Sequence, residues 1–397
     1  MKIAERISKI TESPTMKVAA KAKQMKSEGA DVIDLSVGEP DFPTPQHIKD
    51  AGIKAINENK TIYTINSGSI EIRKAIAAKL KKDNNLDFGI NEIIVSNGAK
   101  QSVYNTVLTI CDKDDEVIIP APYWVSYPEM VNMAEGKNVY VNTKLENNFK
   151  ITPAELEAAI TDRTVALILC NPSNPTGSAY TKKELESLAE VVLKHNFYVI
   201  ADEIYEKLVY DNFEFVSFAS LSEEIKKRTI VINGVSKSYS MTGWRVGYTA
   251  GSADVINGIN KIQSHSTSNA CSISQYATVE ALNADQSEVE KMRVEFEKRR
   301  DFFHKELSSI EGIKCNKPEG AFYLFPDVSG LIGKSFGTEK IKNSYDFAMF
   351  ILNEAKIAAV PGSAFGAENC IRFSYATSMK NLVEAVKRLK EVVLKLK

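Results

Sequence analysis

Thr229-Ile230-Val231-Ile232-Asn233-Gly234-Val235-Ser236-Lys237-Ser238-Tyr239-Ser240-Met241-Thr242-Gly243-Trp244-Arg245-Val246-Gly247-Tyr248-Thr249-Ala250 opens as a β-branched apolar run, crosses a polar turn and resumes as a short strand. The turn holds a lysine, a glycine, an arginine and the hydroxyl residues Ser236, Ser238, Ser240 and Thr242. A lone lysine in such a turn is most simply a surface residue in a solvated loop. The sharper alternative is a site for a covalently held aldehyde cofactor, with Lys237 supplying the amine and Ser236 and Arg245 holding a phosphate. Which reading applies depends on whether the other parts of such a site recur along the chain.

They recur at equivalent places. Upstream, Phe197-Tyr198-Val199-Ile200-Ala201 is a buried-strand signal that runs into Asp202-Glu203-Ile204-Tyr205. An aspartate after a buried strand is costly without a cation beside it, with helix capping as the modest alternative. Before that, the apolar run 164–170 ends in Asn171-Pro172-Ser173-Asn174-Pro175-Thr176-Gly177, a rigid turn that aims an amide side chain. The strand 116–120 ends in Ala121-Pro122-Tyr123-Trp124, where Trp124 is either a core aromatic or a flat surface for stacking on a ring. The strand 92–96 passes through Asn97-Gly98-Ala99-Lys100-Gln101 into a helix reaching 111, whose free N–H groups suit an anion. Residues 138–143 continue the alternation. Strands alternating with helices predict a mostly parallel α/β sheet, with ligands at the strands' carboxyl ends. Gly98, Trp124, Asn174, Asp202, Tyr205 and Lys237 all fall at such ends.

Further out, a helix is predicted over 15–28, set off by Pro14 and Gly29, then a strand over 31–37. Gly38-Glu39-Pro40-Asp41-Phe42-Pro43-Thr44-Pro45 is an ordered non-helical turn, either a linker or a rigid wall of a site. Helices are predicted over 45–57 and 70–81, with Tyr63 in the segment between them; alone, Tyr63 reads as a packing residue. Beyond about residue 280 the pattern changes: a long helix over 285–308, a strand over 320–328, a helix over 344–355, strands over 357–360 and 371–375, and a last helix from 380. This predicts a second, smaller α+β domain joined by the N-terminal segment. The expected division is 1–44 as N-terminal arm and part of the small domain, 45–283 as the large domain, and 284–397 as the small domain. Arg372, in a short apolar strand after Pro361-Gly362, either snorkels or offers its fork to a carboxylate in a cleft.

At 397 residues the chain is long for one core, so two domains are the default. Lys+Arg 50 against Asp+Glu 51 gives a net charge of −1, which gives no support for nucleic-acid binding or a polybasic membrane patch. The five cysteines (Cys111, Cys170, Cys271, Cys315, Cys370) lack metal or redox spacing and read as reduced core residues of a cytoplasmic protein. The four histidines are scattered, so no protein metal site is expected. Residues 1–10 show no secretory h-region, and no apolar run is long enough to span a membrane.

Taken in order, Gly38-Glu39-Pro40-Asp41-Phe42, Asn174-Pro175-Thr176-Gly177, Asp202-Glu203-Ile204-Tyr205, Ser236-Lys237 with Met241-Thr242-Gly243-Trp244-Arg245, and Pro361-Gly362 with Arg372 carry a resemblance over nearly the whole chain. The chain resembles the fold-type I, pyridoxal-phosphate-dependent aminotransferases of the aspartate aminotransferase class, close to their bacterial aspartate-specific branch. The resemblance implies an α/β large domain with a mostly parallel seven-stranded sheet flanked by helices. It implies pyridoxal 5'-phosphate as cofactor, with Lys237 as its covalent anchor and general base and acid. Asp202 would pair with the pyridinium nitrogen. Asn174 and Tyr205 would hydrogen-bond the ring oxygen, and Trp124 would stack on the ring. Ser236, Arg245 and the helix start at Gly98, Ala99 and Lys100 would surround the phosphate. Tyr63 would reach the neighbouring subunit's site, implying a homodimer with shared sites. Arg372 would take the substrate's α-carboxylate, assisted by Gly38 and Asn174.

For substrate choice the resemblance implies that Lys100 meets a distal carboxylate, which favours aspartate, glutamate and their 2-oxo acids. The expected reaction is reversible amino transfer between L-aspartate and 2-oxoglutarate, giving oxaloacetate and L-glutamate. The alternatives are an aromatic, prephenate or broad-range aminotransferase on the same scaffold, a C–S lyase making pyruvate and ammonia, and a binding protein that keeps the fold. Small-molecule amino and 2-oxo acids are the expected partners, with no nucleic acid and no membrane.

Overall fold

The computed structural model describes residues 3–4, 7–8, 10 and 15–397. Pro14, read above as a helix boundary, and half of residues 1–10 lie outside the described residues. Seven strands form the main sheet in the spatial order Ile93–Ser96, Gly247–Ala250, Thr229–Gly234, Tyr198–Asp202, Thr164–Cys170, Glu116–Ala121, Lys137–Asn142. Neighbours pair in parallel except at Gly247–Ala250, which is antiparallel to both of its neighbours. That exception follows from the connection: the chain returns from Thr229–Gly234 through the Lys237 turn with no crossover helix. The other strands therefore all run one way, and their carboxyl ends share one edge.

The strands read as unbroken apolar runs because both faces are covered. Along Thr164–Cys170, Ala166 and Ile168 join the core on one face, while Leu167 and Leu169 join the core on the other. The helices Ala99–Ile110 and Ala253–Ser266 cover the first face with Val103, Val107, Ile256 and Ile259. Lys182–Lys194 covers the second with Leu185, Leu188 and Val192. Its start is set by a capping box: Glu184 N–H donates to Thr181 Oγ1, and the Glu184 carboxylate accepts from Thr181 N–H.

The remainder of the chain builds a smaller antiparallel sheet, Val360–Pro361, Ile371–Ser374 and Tyr323–Leu324, beside the helices Ser287–Ser308, Ser344–Ala355 and Met379–Val393. Its strands are shorter than the sequence predicts. The expected strand over 320–328 is reduced to Tyr323–Leu324, because Ala321 sits at φ +57° on one side and Pro326 offers no N–H on the other. The expected strand over 357–360 splits at Ala359. Ile357–Ala358 pairs in parallel with Ile33–Asp34, whereas Val360–Pro361 turns to Ile371–Ser374. Cys271, predicted to be a core residue, is exposed at the start of the helix Ser272–Asn283; all five cysteines are free thiols.

One hydrophobic cluster runs through both parts. It holds Ile48, Ile72, Tyr205 and Val235 together with Phe296, Phe322, Phe373 and Leu389. The first helix, Thr15–Ser27, packs Val18, Ala22 and Met25 against Leu352 and Ala358. Among the described residues no helix is long and apolar enough to cross a membrane.

Candidate active site

At the carboxyl edge of the main sheet, where it faces the smaller one, lies a cavity of about 460 Å³. Of the residues singled out from the sequence, Gly38, Ala99, Lys100, Trp124, Asn174, Asp202, Tyr205, Ser236, Lys237, Arg245 and Arg372 line it. They come from separate strand ends and loops, so the sheet is what gathers them. Gly98 stands directly behind Ala99. Tyr63 is not drawn in: its side chain is 87% exposed on the chain's own surface.

Lys237 reaches the cavity from the turn after Thr229–Gly234, with its Nζ donating to the Gly38 carbonyl at 2.6 Å. Burial lowers its pKa to about 8; the carboxylates of Glu39 and Asp202 oppose this, while Arg372 and Arg245 reinforce it. An amine with such a pKa is available in its neutral, nucleophilic form near neutrality. Asp202 ends the strand Tyr198–Asp202 and is buried. Its Oδ2 accepts from the Tyr127 hydroxyl at 2.6 Å and its Oδ1 from the Ile204 N–H at 3.4 Å. Burial raises its pKa, and among the described residues no cation forms an ion pair with it.

The wall formed by the helix start is shaped for an anion. Gly98 has φ +85°, and a Cβ there would lie 2.6 Å from Arg245 Nη2. A Cβ on Gly247 would lie 2.2 Å from the Ala99 nitrogen. Two glycines thus let a guanidinium and the first N–H groups of Ala99–Ile110 converge, with Ser236 nearby on the cavity wall. Arg245 itself is held by Nη1 to the Thr242 carbonyl at 2.9 Å and Nη2 to the Asn97 carbonyl at 3.3 Å. Lys100 Nζ stands 4.9 Å from the Trp124 ring centre, its pKa lowered by burial and then by Arg245.

On the opposite wall Arg372 is 7% exposed. Nη1 donates to Asn174 Oδ1 at 2.9 Å and Nη2 to the Ser36 carbonyl at 2.8 Å, while its buried Nε has no hydrogen-bond partner. The Tyr323 ring lies 4.5 Å from the guanidinium and the Phe365 ring 5.0 Å. No carboxylate pairs with Arg372 among the described residues. The guanidinium is therefore a fork held ready for an anion, and it does not snorkel. The loop at 38–45 gives the cavity wall Gly38 and is tied to the segments around it. Glu39 accepts from Thr242 Oγ1 at 2.8 Å, Asp41 pairs with Arg299 at 2.7 Å, and Thr44 Oγ1 donates to the Ser240 carbonyl at 2.6 Å.

Three contributors escape sequence reasoning: Tyr127, Cys170 and Tyr323 all line the cavity. Tyr127 lies three residues past the quoted Trp124 and Cys170 closes the apolar run 164–170, and neither carries a signal of its own there. Tyr323 comes from the small sheet, and the alternation of the large sheet gives no hint of it.

The residues fit the cofactor that the resemblance implies. A buried carboxylate without a cation suits a protonated ring nitrogen, a lysine amine of lowered pKa suits an aldehyde, and a cradle that admits no Cβ suits a phosphate.

The comparisons agree with this geometry. The family described as aminotransferase class I and II matches residues 30–389. The aspartate aminotransferase of Bacillus subtilis is 49% identical over 395 residues, covering 100% of both chains. The aspartate/prephenate aminotransferase of Nitrosomonas europaea is 49% identical, covering 98% of this chain and 99% of that one. The crystal structure of the aspartate aminotransferase from Rhizobium meliloti superposes with a TM-score of 0.97 at 43% identity, covering 100% of each.

Proposed function

This chain belongs to the class I and II aminotransferase family, and on that premise we propose that it is an aspartate aminotransferase. It moves an amino group reversibly between L-aspartate and 2-oxoglutarate, giving oxaloacetate and L-glutamate in two half-reactions. Pyridoxal 5'-phosphate, when bound, supplies the electron sink that makes the substrate's Cα–H bond acidic.

The chain's own residues do the rest. Lys237 anchors the cofactor through Nζ. With the cofactor bound, the Lys237 amine would act as both base and acid, taking the proton from the substrate's Cα and delivering it to the cofactor carbon that receives the amino group. Asp202 keeps a proton on the cofactor's ring nitrogen, and Tyr127 holds the carboxylate in place. Asn174, whose Oδ1 is engaged by Arg372, keeps its Nδ2 free to donate, and with the Tyr205 hydroxyl it would hold the cofactor's ring oxygen. Trp124, on the cavity wall, would stack on the ring. Ser236, Arg245 and the N–H groups at Gly98, Ala99 and Lys100 bind the phosphate. Arg372 receives the α-carboxylate with help from the Gly38 backbone, and the Lys100 ammonium meets the distal carboxylate.

The observation that carries the reading is the pair of buried, unmatched charges on opposite walls. Asp202 awaits a cation and Arg372 an anion, with the Lys237 amine in the same cavity and electrostatically coupled to both. A bound α-amino acid and its cofactor supply both. The division into 45–283 and 284–397, with 1–44 shared, is consistent with the two sheets. A homodimer accounts for Ile62, Tyr63 and Ile65, exposed at 77%, 87% and 55%, as a surface covered by the second copy, where Tyr63 enters the neighbour's phosphate site. The cytoplasm, with its free thiols, is the expected compartment.

A second reading, amino transfer to prephenate, draws on the Nitrosomonas relative's name and on the apolar stretch of the cavity wall at Val37, Val360 and Phe365. The test is one half-reaction without acceptor. L-Aspartate should convert the bound cofactor to its amine form and release oxaloacetate. Conversion by glutamate and prephenate's amino product, with none by aspartate, would favour the second reading. Pyruvate and ammonia would sink both.

A further inference from the structure

Tyr323 is fully buried and stands where three elements meet. It lies on the strand Tyr323–Leu324 of the small sheet, and its hydroxyl is 2.9 Å from the hydroxyl of Tyr205, which follows a strand of the large sheet. A Cβ on Gly38 would come within 3.0 Å of the same hydroxyl, so the loop whose carbonyl holds Lys237 closes directly over it. Its ring face underlies the Arg372 guanidinium at 4.5 Å.

A phenol carries one hydrogen. If Tyr205 donates its hydrogen to a ligand in the cavity, the hydrogen shared by the two tyrosines must come from Tyr323. We propose that Tyr323 is a positioning residue that acts through Tyr205: it donates to the Tyr205 oxygen, fixes the direction of the Tyr205 hydrogen and strengthens it as a donor, while its ring supports Arg372. The inference rests on the reading that Tyr205 donates to the oxygen of a cofactor held by Lys237. An oxygen that accepts a hydrogen bond becomes a better donor through its own hydrogen, so the two bonds reinforce each other. Tyr323 thereby links the wall that binds the carboxylate to the wall that binds the cofactor. The charged and titratable groups acting on this pair are Arg372 and Cys170, with Lys237 Nζ 6.0 Å from the centre of the Tyr205 ring. Arg372 comes from the small sheet and the other two from the large sheet.

Tyr323→Phe removes the hydroxyl and leaves the ring under Arg372; Tyr205→Phe and the double variant complete the cycle. The readout is the pH midpoint of the visible absorption change of the lysine-bound cofactor, measured on the purified holoenzyme, together with the Kd of succinate. We expect Tyr323→Phe to raise the midpoint by roughly half a pH unit, a small fraction of what direct partners cause. Its Kd for succinate should stay within about twofold, because the arginine keeps its ring support. In the Tyr205→Phe background the Tyr323→Phe shift should vanish. An unchanged midpoint in Tyr323→Phe, or an equal shift in both backgrounds, overturns the relay. Absence of any pH-dependent cofactor band in the unsubstituted protein overturns the cofactor reading and the relay with it.

Discussion

Replacing Arg372 with lysine keeps the charge and removes the fork. In the structure the guanidinium spends one N–H on Asn174 Oδ1 and one on the Ser36 carbonyl, and still has Nε–H and two further N–H groups for a ligand. A lysine has three donors on a single atom. It cannot hold Asn174 and Ser36 and also meet both oxygens of a carboxylate. At least one hydrogen bond to the ligand is lost, and the remaining one is poorly aimed. A hydrogen bond to a charged group contributes about 1.5–3 kcal/mol, so a loss of about 3 kcal/mol is expected for the ligand, roughly 150-fold in affinity. The assay is a spectral titration with succinate, which binds without reacting, followed by the aspartate half-reaction. Cofactor content and the melting temperature should stay near those of the parent, since the charge remains buried against Tyr323 and Phe365. A succinate affinity within threefold of the parent would refute the assignment of Arg372 as the carboxylate fork.

Lys237→Met should abolish the borohydride-reducible bond to the cofactor, yet stabilise the cofactor-free protein. With the folded pKa lowered to about 8 from 10.5, the folded amine bears its full burial cost below pH 8, and that cost fades as pH rises from 8 to 10.5. The gain is about 2–3 kcal/mol at pH 7, at the low end because the cavity admits water, and should shrink toward pH 10; melting curves at the two pH values decide. Gly98→Ala forces a side chain into φ +85°, ψ 158° and against Arg245, so cofactor affinity should fall at least about tenfold, and a titration showing less than twofold would count against the cradle. Lys100→Ala should cut kcat/KM for aspartate at least about tenfold more than for alanine or phenylalanine, and equal losses would remove Lys100 from the distal site.

Much of the large sheet is legible because its strands are buried on both faces and so read as apolar runs. Thr164–Cys170 and the helix Ser344–Ala355 have the bounds their sequences predict. Strand ends can be located from sequence, which is why the candidate residues at those ends converge on one cavity. Cross-chain pairing has no such local signal. Tyr127 and Asp202 are 75 residues apart and Tyr205 and Tyr323 are 118 apart, and nothing in either neighbourhood names the other. The helices Ala253–Ser266 and Ser272–Asn283 are absent from the sequence reading, although Val255, Ile256 and Ile259 in the first have helical spacing. Short strands of the small sheet defeat periodicity for a different reason: two residues are too few to show a period of two.

The seam between Ile33–Asp34 and Ile357–Ala358 limits how relatives of this chain can exchange segments. A chimera that takes its last sixty residues from a 49% identical relative inherits new partners for Val18, Ala22 and Met25 at Leu352 and Ala358, and new backbone for Ile33 to pair with. Recombination is thus tolerated in blocks that are not contiguous in sequence: the opening and closing segments must travel together. Chimeras that swap both ends should fold at parental yield, and those that swap one should lose soluble yield first.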